Sequence, residues 1–176
     1  MKYDYLKKVT APQILVKALE LIGTKEIIGQ IHNNIIMSWA KDLNIEKIYT
    51  TDEIAWCGLF MAIVCQRANV ATGITPKDAL WALNWNKFGT KQKVAMLGDI
   101  LTFKRPGGGG HVGIYVGEDE TCYHVLGGNQ SNAVTIARLE KTRCAGIRRT
   151  AWKIAQPDSV RAIAVNSNGF ISKNEA

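Results

Sequence analysis

The sequence predicts an α+β fold, with helices in the first half packed on an antiparallel β-sheet of about five or six strands in the second. Three features carry that expectation. Apolar residues recur at helical spacing up to about residue 85. After Gly98 they fall into short alternating or β-branched runs. Those runs are joined by connections too short for a crossover, so neighbouring strands must pair antiparallel.

The elements follow in order. Thr10-Ala-Pro-Gln13 has the spacing of a capping box, with Pro12 tolerated in a first turn. Ile14, Leu15, Ala18, Leu19 and Ile22 then mark one helix face, which stops at Gly23. A polar loop over 24–33 leads to a second helix, about 34–43, with Ile35, Ile36 and Trp39 on one side. Asp52 or Glu53 can serve the N-terminus of the third helix. Its run 54–65 is apolar almost all round, which makes it central in the domain. Thr75-Pro76-Lys77-Asp78 opens a fourth helix, continuing through Trp81 to about Trp85. Strands are expected over 99–104, 112–116, 122–126, 134–137 and 146–149, with turn signals at 106–110, 117–120 and 127–130. Residues 1–150 read as one domain. Residues 151–176 form an extension with weaker patterning, either an edge strand or a frayed end.

Composition narrows the function. With 47% hydrophobic and 21% charged residues the chain has the balance of a globular protein, and no apolar run reaches the roughly 18 residues of a membrane span. The start of the chain has no apolar core of a Sec signal peptide, so synthesis in the cytoplasm is expected. The net charge of +7 asks for an anionic partner, nucleic acid or bacterial envelope. The basic residues are dispersed apart from Arg138, Lys141, Arg143, Arg148 and Arg149, and no basic stripe interleaves with aromatics. Nucleic acid is therefore not the expected partner. Four cysteines, at 57, 65, 122 and 144, have no metal-site spacing and read as free thiols.

One of those thiols is placed for chemistry. Cys57 falls in the first turn of the third helix, where unpaired N–H groups favour a thiolate and can hold an oxyanion. A buried structural cysteine is the plain alternative. His111 opens a strand after four glycines, and those glycines, Gly110 included, let a substrate backbone approach closely. Leu126-Gly-Gly-Asn-Gln130 ends the next strand. If the two strands pair as a hairpin, Asn129 reaches the level of His111 and its carbonyl can orient the imidazole. Gln130 is the second choice for that role, and a simple turn is the structural alternative. Cysteine at a helix start, histidine at a strand start and a polar residue one strand later is the order of a papain-like site.

Four segments carry a resemblance: Asp52-Glu-Ile-Ala-Trp-Cys57-Gly-Leu-Phe60, Gly98-Asp-Ile-Leu-Thr-Phe103, Gly109-Gly-His-Val-Gly-Ile-Tyr115 and Leu126-Gly-Gly-Asn-Gln-Ser-Asn132. Together they resemble the NlpC/P60 and CHAP superfamily, more narrowly its phage- and prophage-associated small peptidoglycan hydrolases. The resemblance spans about Leu15 to Arg149, taking in Gly23 to Gly29, His32-Asn33 and Gly146 to Arg149. It implies a papain-like fold, Cys57 as nucleophile, His111 as base and a polar third residue. Asp52 or Glu53 would line the site or else cap the helix, with Trp56 beside them. No cofactor or metal would be needed. The implied substrate is bacterial peptidoglycan, cut at the muramoyl–L-alanine amide or within the stem peptide or crossbridge. Delivery to the wall would then be by holin, phage or secretion system, with a holin or an immunity protein as genetic neighbour. A phage endolysin and an interbacterial toxin share this chemistry. A catalytically silent wall-binding module and a nucleic-acid binder are the readings from other classes. His32 and His124 are the other candidate bases, with His124 ranked as structural. Cys65, Cys122 and Cys144 are expected to be dispensable.

Overall fold

A computed structural model of the chain describes residues 2–29, 31–167 and 169–172. The fold is α+β: a layer of helices lies on a six-stranded antiparallel sheet. The helices are α1 (Gln13–Leu19), α2 (Asn34–Asp42), α3 (Cys57–Arg67) and the single turn α4 (Pro76–Ala79), followed by a 3₁₀ stretch over Ala82–Lys87. In α3 every residue from Cys57 to Cys65 is buried, so a helix without a polar face has taken the centre of the molecule. Trp39 of α2 packs on Trp56 and Phe60, with ring centroids 6.0 and 6.3 Å away. The start of α4 follows its sequence signal, and the start of α2 gains a cap that was not expected. The Asn33 side chain accepts from the Ile35 and Ile36 amides, and Thr75 accepts from Asp78 just ahead of Pro76.

The strands are β1 (Thr90–Lys91), β2 (Ile100–Lys104), β3 (Gly110–Glu118), β4 (Cys122–Gly127), β5 (Thr135–Glu140) and β6 (Cys144–Arg149), in spatial order β1-β6-β2-β3-β4-β5. Alternation sorts their side chains onto two faces. Ile100, Val112, Ile114, Val116 and Leu126 meet the helices. Leu101, Phe103, Tyr115, Val125, Leu139 and Ile147 form a second apolar layer.

Several expected details change. The Thr10–Gln13 capping box does not form: Pro12 takes the N-cap position of α1, with no side-chain bond. That helix ends at Leu19, and the chain turns before Gly23 rather than at it. Neither Asp52 nor Glu53 caps α3, whose N-cap is Trp56, again without a side-chain bond. The fourth helix breaks at Ala79, and residues up to Lys87 continue as a tighter 3₁₀ stretch.

The described part of the extension beyond residue 150 is irregular chain that joins the sheet through one isolated bridge, Ala164 with Glu118. Ile163 accepts from the Glu118 amide, Val165 donates back to Glu118, Arg161 accepts from Leu97, and Arg138 donates to the Gly169 carbonyl. These bonds tie it mainly to the Glu118 end of β3. Of the polar run 166–176, residues 168 and 173–176 lie outside the described residues.

Candidate functional site

Cys57 is the first residue of α3 and His111 the second of β3. Cys57 lies near the backbone that follows His111 for a reason visible in the hydrogen-bond ladder. Tyr115 donates its N–H to Asp99, on the β2 side. Alternation along β3 turns the Ile114 and Val112 amides the other way, toward β4. Ile114 finds Leu126 there. β4 ends at Gly127, so no strand remains opposite Val112. The Cys57 sulfur lies close enough to that position for the Val112 N–H, with its own amide and that of Gly58, to favour the thiolate. The nucleophile candidate thus sits against the residue that follows His111.

The side chain that meets the His111 ring is Gln130 rather than Asn129. His111 Nε2 lies 3.1 Å from Gln130 Oε1. The Gln130 Nε2 group donates to the carbonyls of Thr135 (2.5 Å) and Val125 (3.2 Å), which fixes which end of the amide faces the ring. A carbonyl oxygen only accepts, so the ring nitrogen it meets carries the proton. The reason for the one-residue shift is backbone geometry. Asn129 has φ 59°, and Ser131 and Asn132 also lie in the left-handed region. This tight reversal swings Gln130 back under the sheet end, where the Gln130 and Ala133 amides exchange bonds. The Asn129 side chain is buried, and its Oδ1 meets no hydrogen-bond donor among the described residues.

Glycines make this corner possible. A β-carbon at Gly127 would lie 3.1 Å from both Gln130 Oε1 and His111 Nε2, and one at Gly128 would lie 2.6 Å from Phe60 Cβ and 2.7 Å from the Trp56 ring. The Gly-Gly pair therefore packs the turn flat against α3. Gly110 is close-packed as well: a β-carbon there would meet the Leu83 side chain at 2.7 Å.

The electrostatics correct one expectation. Burial pushes the Cys57 thiol up, against the pull of the Val112, Gly58 and Cys57 amides and the charge of Arg105. The helix N-terminus is not enough to hold a resting thiolate. Cys57 is 3% exposed and His111 wholly buried. Cys65 is pushed up to about 12 by burial alone, which fits a core residue. Burial also raises Cys144.

The supporting residues take other places. Asp52 is buried and forms a hub: burial pushes its carboxyl up, but the Asn33 and Ile27 amides and His32 Nδ1 (2.9 Å) outweigh this and hold it low. It pins the 27–33 loop to the entry of α3. Glu53 is exposed. Trp56 donates its indole N–H to Glu26 at 3.1 Å and is wholly buried. His32 is thereby engaged by Asp52. His124 lies opposite Gly117, six residues along β3 from His111, so it stands about 20 Å from the site rather than beside it. Sequence reasoning did not single out the Val112 amide or Arg105. Val112 contributes only its backbone, which no side-chain signal could reveal.

The small basic concentration is spent internally. Arg138 pairs with Asp119, Lys141 with Glu118 and Arg149 with Asp99, while Arg148 donates to the Phe88 and Gly89 carbonyls and Arg143 to that of Lys104. Among the described residues no cluster of His, Cys, Asp and Glu could hold a metal ion, and no helix is long and apolar enough to cross a membrane. Scans of the chain against family models, curated proteins and solved structures found no match.

Proposed function

We propose that this chain is a cysteine hydrolase of papain-like type acting on an amide bond of bacterial peptidoglycan, with Cys57 as nucleophile, His111 as base and Gln130 as the residue that orients the imidazole. The observation that carries the chemistry is the pairing of two facts at one corner. The Cys57 sulfur lies close enough to the amide that follows His111 for that N–H to favour the thiolate, and the Gln130 carbonyl holds the proton on His111 Nε2. Proton exchange with the sulfur then falls to Nδ1. The substrate class comes from the motif resemblance and suits a chain of net charge +7 facing an anionic wall.

Because the thiol rests protonated, the base acts during attack rather than before it. His111 Nδ1 takes the thiol proton as sulfur adds to the carbonyl carbon. The Cys57 and Gly58 amides, which the sulfur vacates as it forms the C–S bond, donate to the oxyanion. The C–N bond breaks, and the leaving amine takes the proton from His111. Water, activated by the same imidazole, then hydrolyses the thioester and returns the thiol.

Digestion of purified peptidoglycan followed by mass spectrometry tests this directly. Wild-type protein should release soluble fragments. Cys57→Ala and His111→Ala should each lower the rate by about 1,000-fold or more while the thermal melt is unchanged within a few degrees. Wild-type rates in both variants would end the reading. The deep burial of the thiol favours one second reading, a catalytically silent wall-binding module. Binding to peptidoglycan with no fragments released would establish it.

A further inference from the structure

The connection between α4 and the 3₁₀ stretch touches both halves of the corner. A β-carbon at Gly58, beside Cys57, would collide with the Ala79 carbonyl and lie 2.7 Å from that of Leu80. The Leu83 side chain packs on Gly110, beside His111. Trp81 stands between these two contacts, within about 7 Å of chain from each. Trp39, Trp56 and Trp85 are wholly buried, yet Trp81 is 71% exposed. Its chain neighbours are mixed: Lys77 and Asp78 are exposed, Asn84 donates to the Asp78 carbonyl, and Leu83 is 37% exposed. Nothing in the packing of the connection requires an aromatic side chain there.

An open aromatic face fringed by hydrogen-bonding groups fits the C–H face of a pyranose ring with its hydroxyls at the rim, better than it fits an aliphatic side chain, which calls for an apolar pocket. We propose that Trp81 is the platform for a sugar of the glycan strand, and that it seats the muramyl residue so that the muramoyl–L-alanine amide is the bond presented to Cys57. This rests on the functional reading above and chooses among its bonds. A sugar can rest this near the nucleophile only if the bond cut adjoins it. In that reaction the lactyl carbonyl carbon bonds to sulfur, its bond to the alanine nitrogen breaks, that nitrogen takes the proton from His111, and water restores the acid.

The test uses the full chain with two substrates, a disaccharide–tetrapeptide muropeptide and the free tetrapeptide, and separates products by mass. Wild type should split the muropeptide into disaccharide and tetrapeptide and leave the free tetrapeptide intact. Trp81→Ala should raise KM for the muropeptide about 10-fold with kcat nearly unchanged, and Trp81→Tyr should recover most of the loss. Wild-type KM in Trp81→Ala, or cleavage inside the tetrapeptide, would overturn the assignment of Trp81 and leave the cysteine chemistry standing. A wild-type chain that releases nothing from peptidoglycan or either substrate would overturn both.

Discussion

His111 and His124 are both fully buried on neighbouring strands, but they stand at opposite ends of the sheet and are held in opposite ways. His124 has both ring nitrogens engaged, Nδ1 with the Tyr3 hydroxyl at 2.9 Å and Nε2 with Asp119 at 2.8 Å, and Asp119 is in turn paired with Arg138 at 2.7 Å. His111 has Nε2 on a neutral amide oxygen and precedes Val112, whose amide favours the Cys57 thiolate. A histidine enclosed by a hydroxyl and an ion pair has no proton to trade. One whose Nε2 meets a neutral amide oxygen is oriented without being locked into an ion pair. Burial alone does not tell a structural imidazole from a chemical one; its partners do.

The comparison breaks most visibly at Gln130. Gln130→Ala should cost about 10- to 100-fold in kcat, because the ring loses the acceptor that sets its tautomer, with KM little changed. Asn129→Ala should stay within about 3-fold, since its Oδ1 meets no hydrogen-bond donor among the described residues. Equal losses in the two variants, measured on muropeptide release, would return Asn129 to the site.

At the other end the expected effect is on stability. Removing His124 leaves a buried gap beside Asp119 and Tyr3, so His124→Ala should lose about 3 kcal/mol in denaturant unfolding, with activity per folded molecule retained. The pH dependence has a definite sign. Burial is the largest influence on His124 and lowers its folded pKa despite Asp119, so the ring is neutral in the fold. The unfolded chain, with an ordinary value near 6.5, binds the proton first. This histidine's contribution is therefore complete above about pH 6.5 and declines as pH falls below it. Asp119, pushed up by burial but held low by Arg138 and His124, adds a second loss below its ordinary value of about 3.9. His124→Gln should flatten the first decline and leave the second. An acid profile unchanged by that substitution would mean that His124 is not the group involved.

The two ends were not equally legible in the sequence. Strands β2 and β4 lie within a residue of their expected bounds, because alternation and flanking glycines are local signals that the sheet only has to accept. Cys57 at a helix start and His111 near a strand start were readable in the same way. The identity of the orienting residue was not. It depends on three left-handed residues, Asn129, Ser131 and Asn132, which turn the chain by an amount that no residue-type preference specifies. Asp52 was read as a cap or a site residue because an acid before a helix usually means one or the other. Its actual partners, Ile27, His32 and Asn33, are 19 to 25 residues away, beyond any local pattern. The anchoring of the C-terminal extension through bonds to Glu118, Leu97 and Arg138 likewise has no periodicity to announce it.

The smallest expected effect sharpens the contrast further, because it compares two glycines on adjoining strands. A methyl at Gly127 would sit 3.1 Å from Gln130 Oε1 and His111 Nε2 alike, so one of them must give by a few tenths of an ångström. A hydrogen bond stretched that far still forms, only less well aligned. Gly127→Ala should therefore lower kcat by about 3- to 10-fold at unchanged KM and cost no more than about 1 kcal/mol of stability. At Gly117 a methyl would meet Val165 Cγ2 at 2.6 Å and the Tyr5 hydroxyl at 3.2 Å, where the tail and the N-terminal turn rest on β3. Gly117→Ala should move the melting temperature and leave kcat alone. If the first variant changed only the melt and the second only the rate, the division of the sheet into a working end and an anchoring end would be reversed.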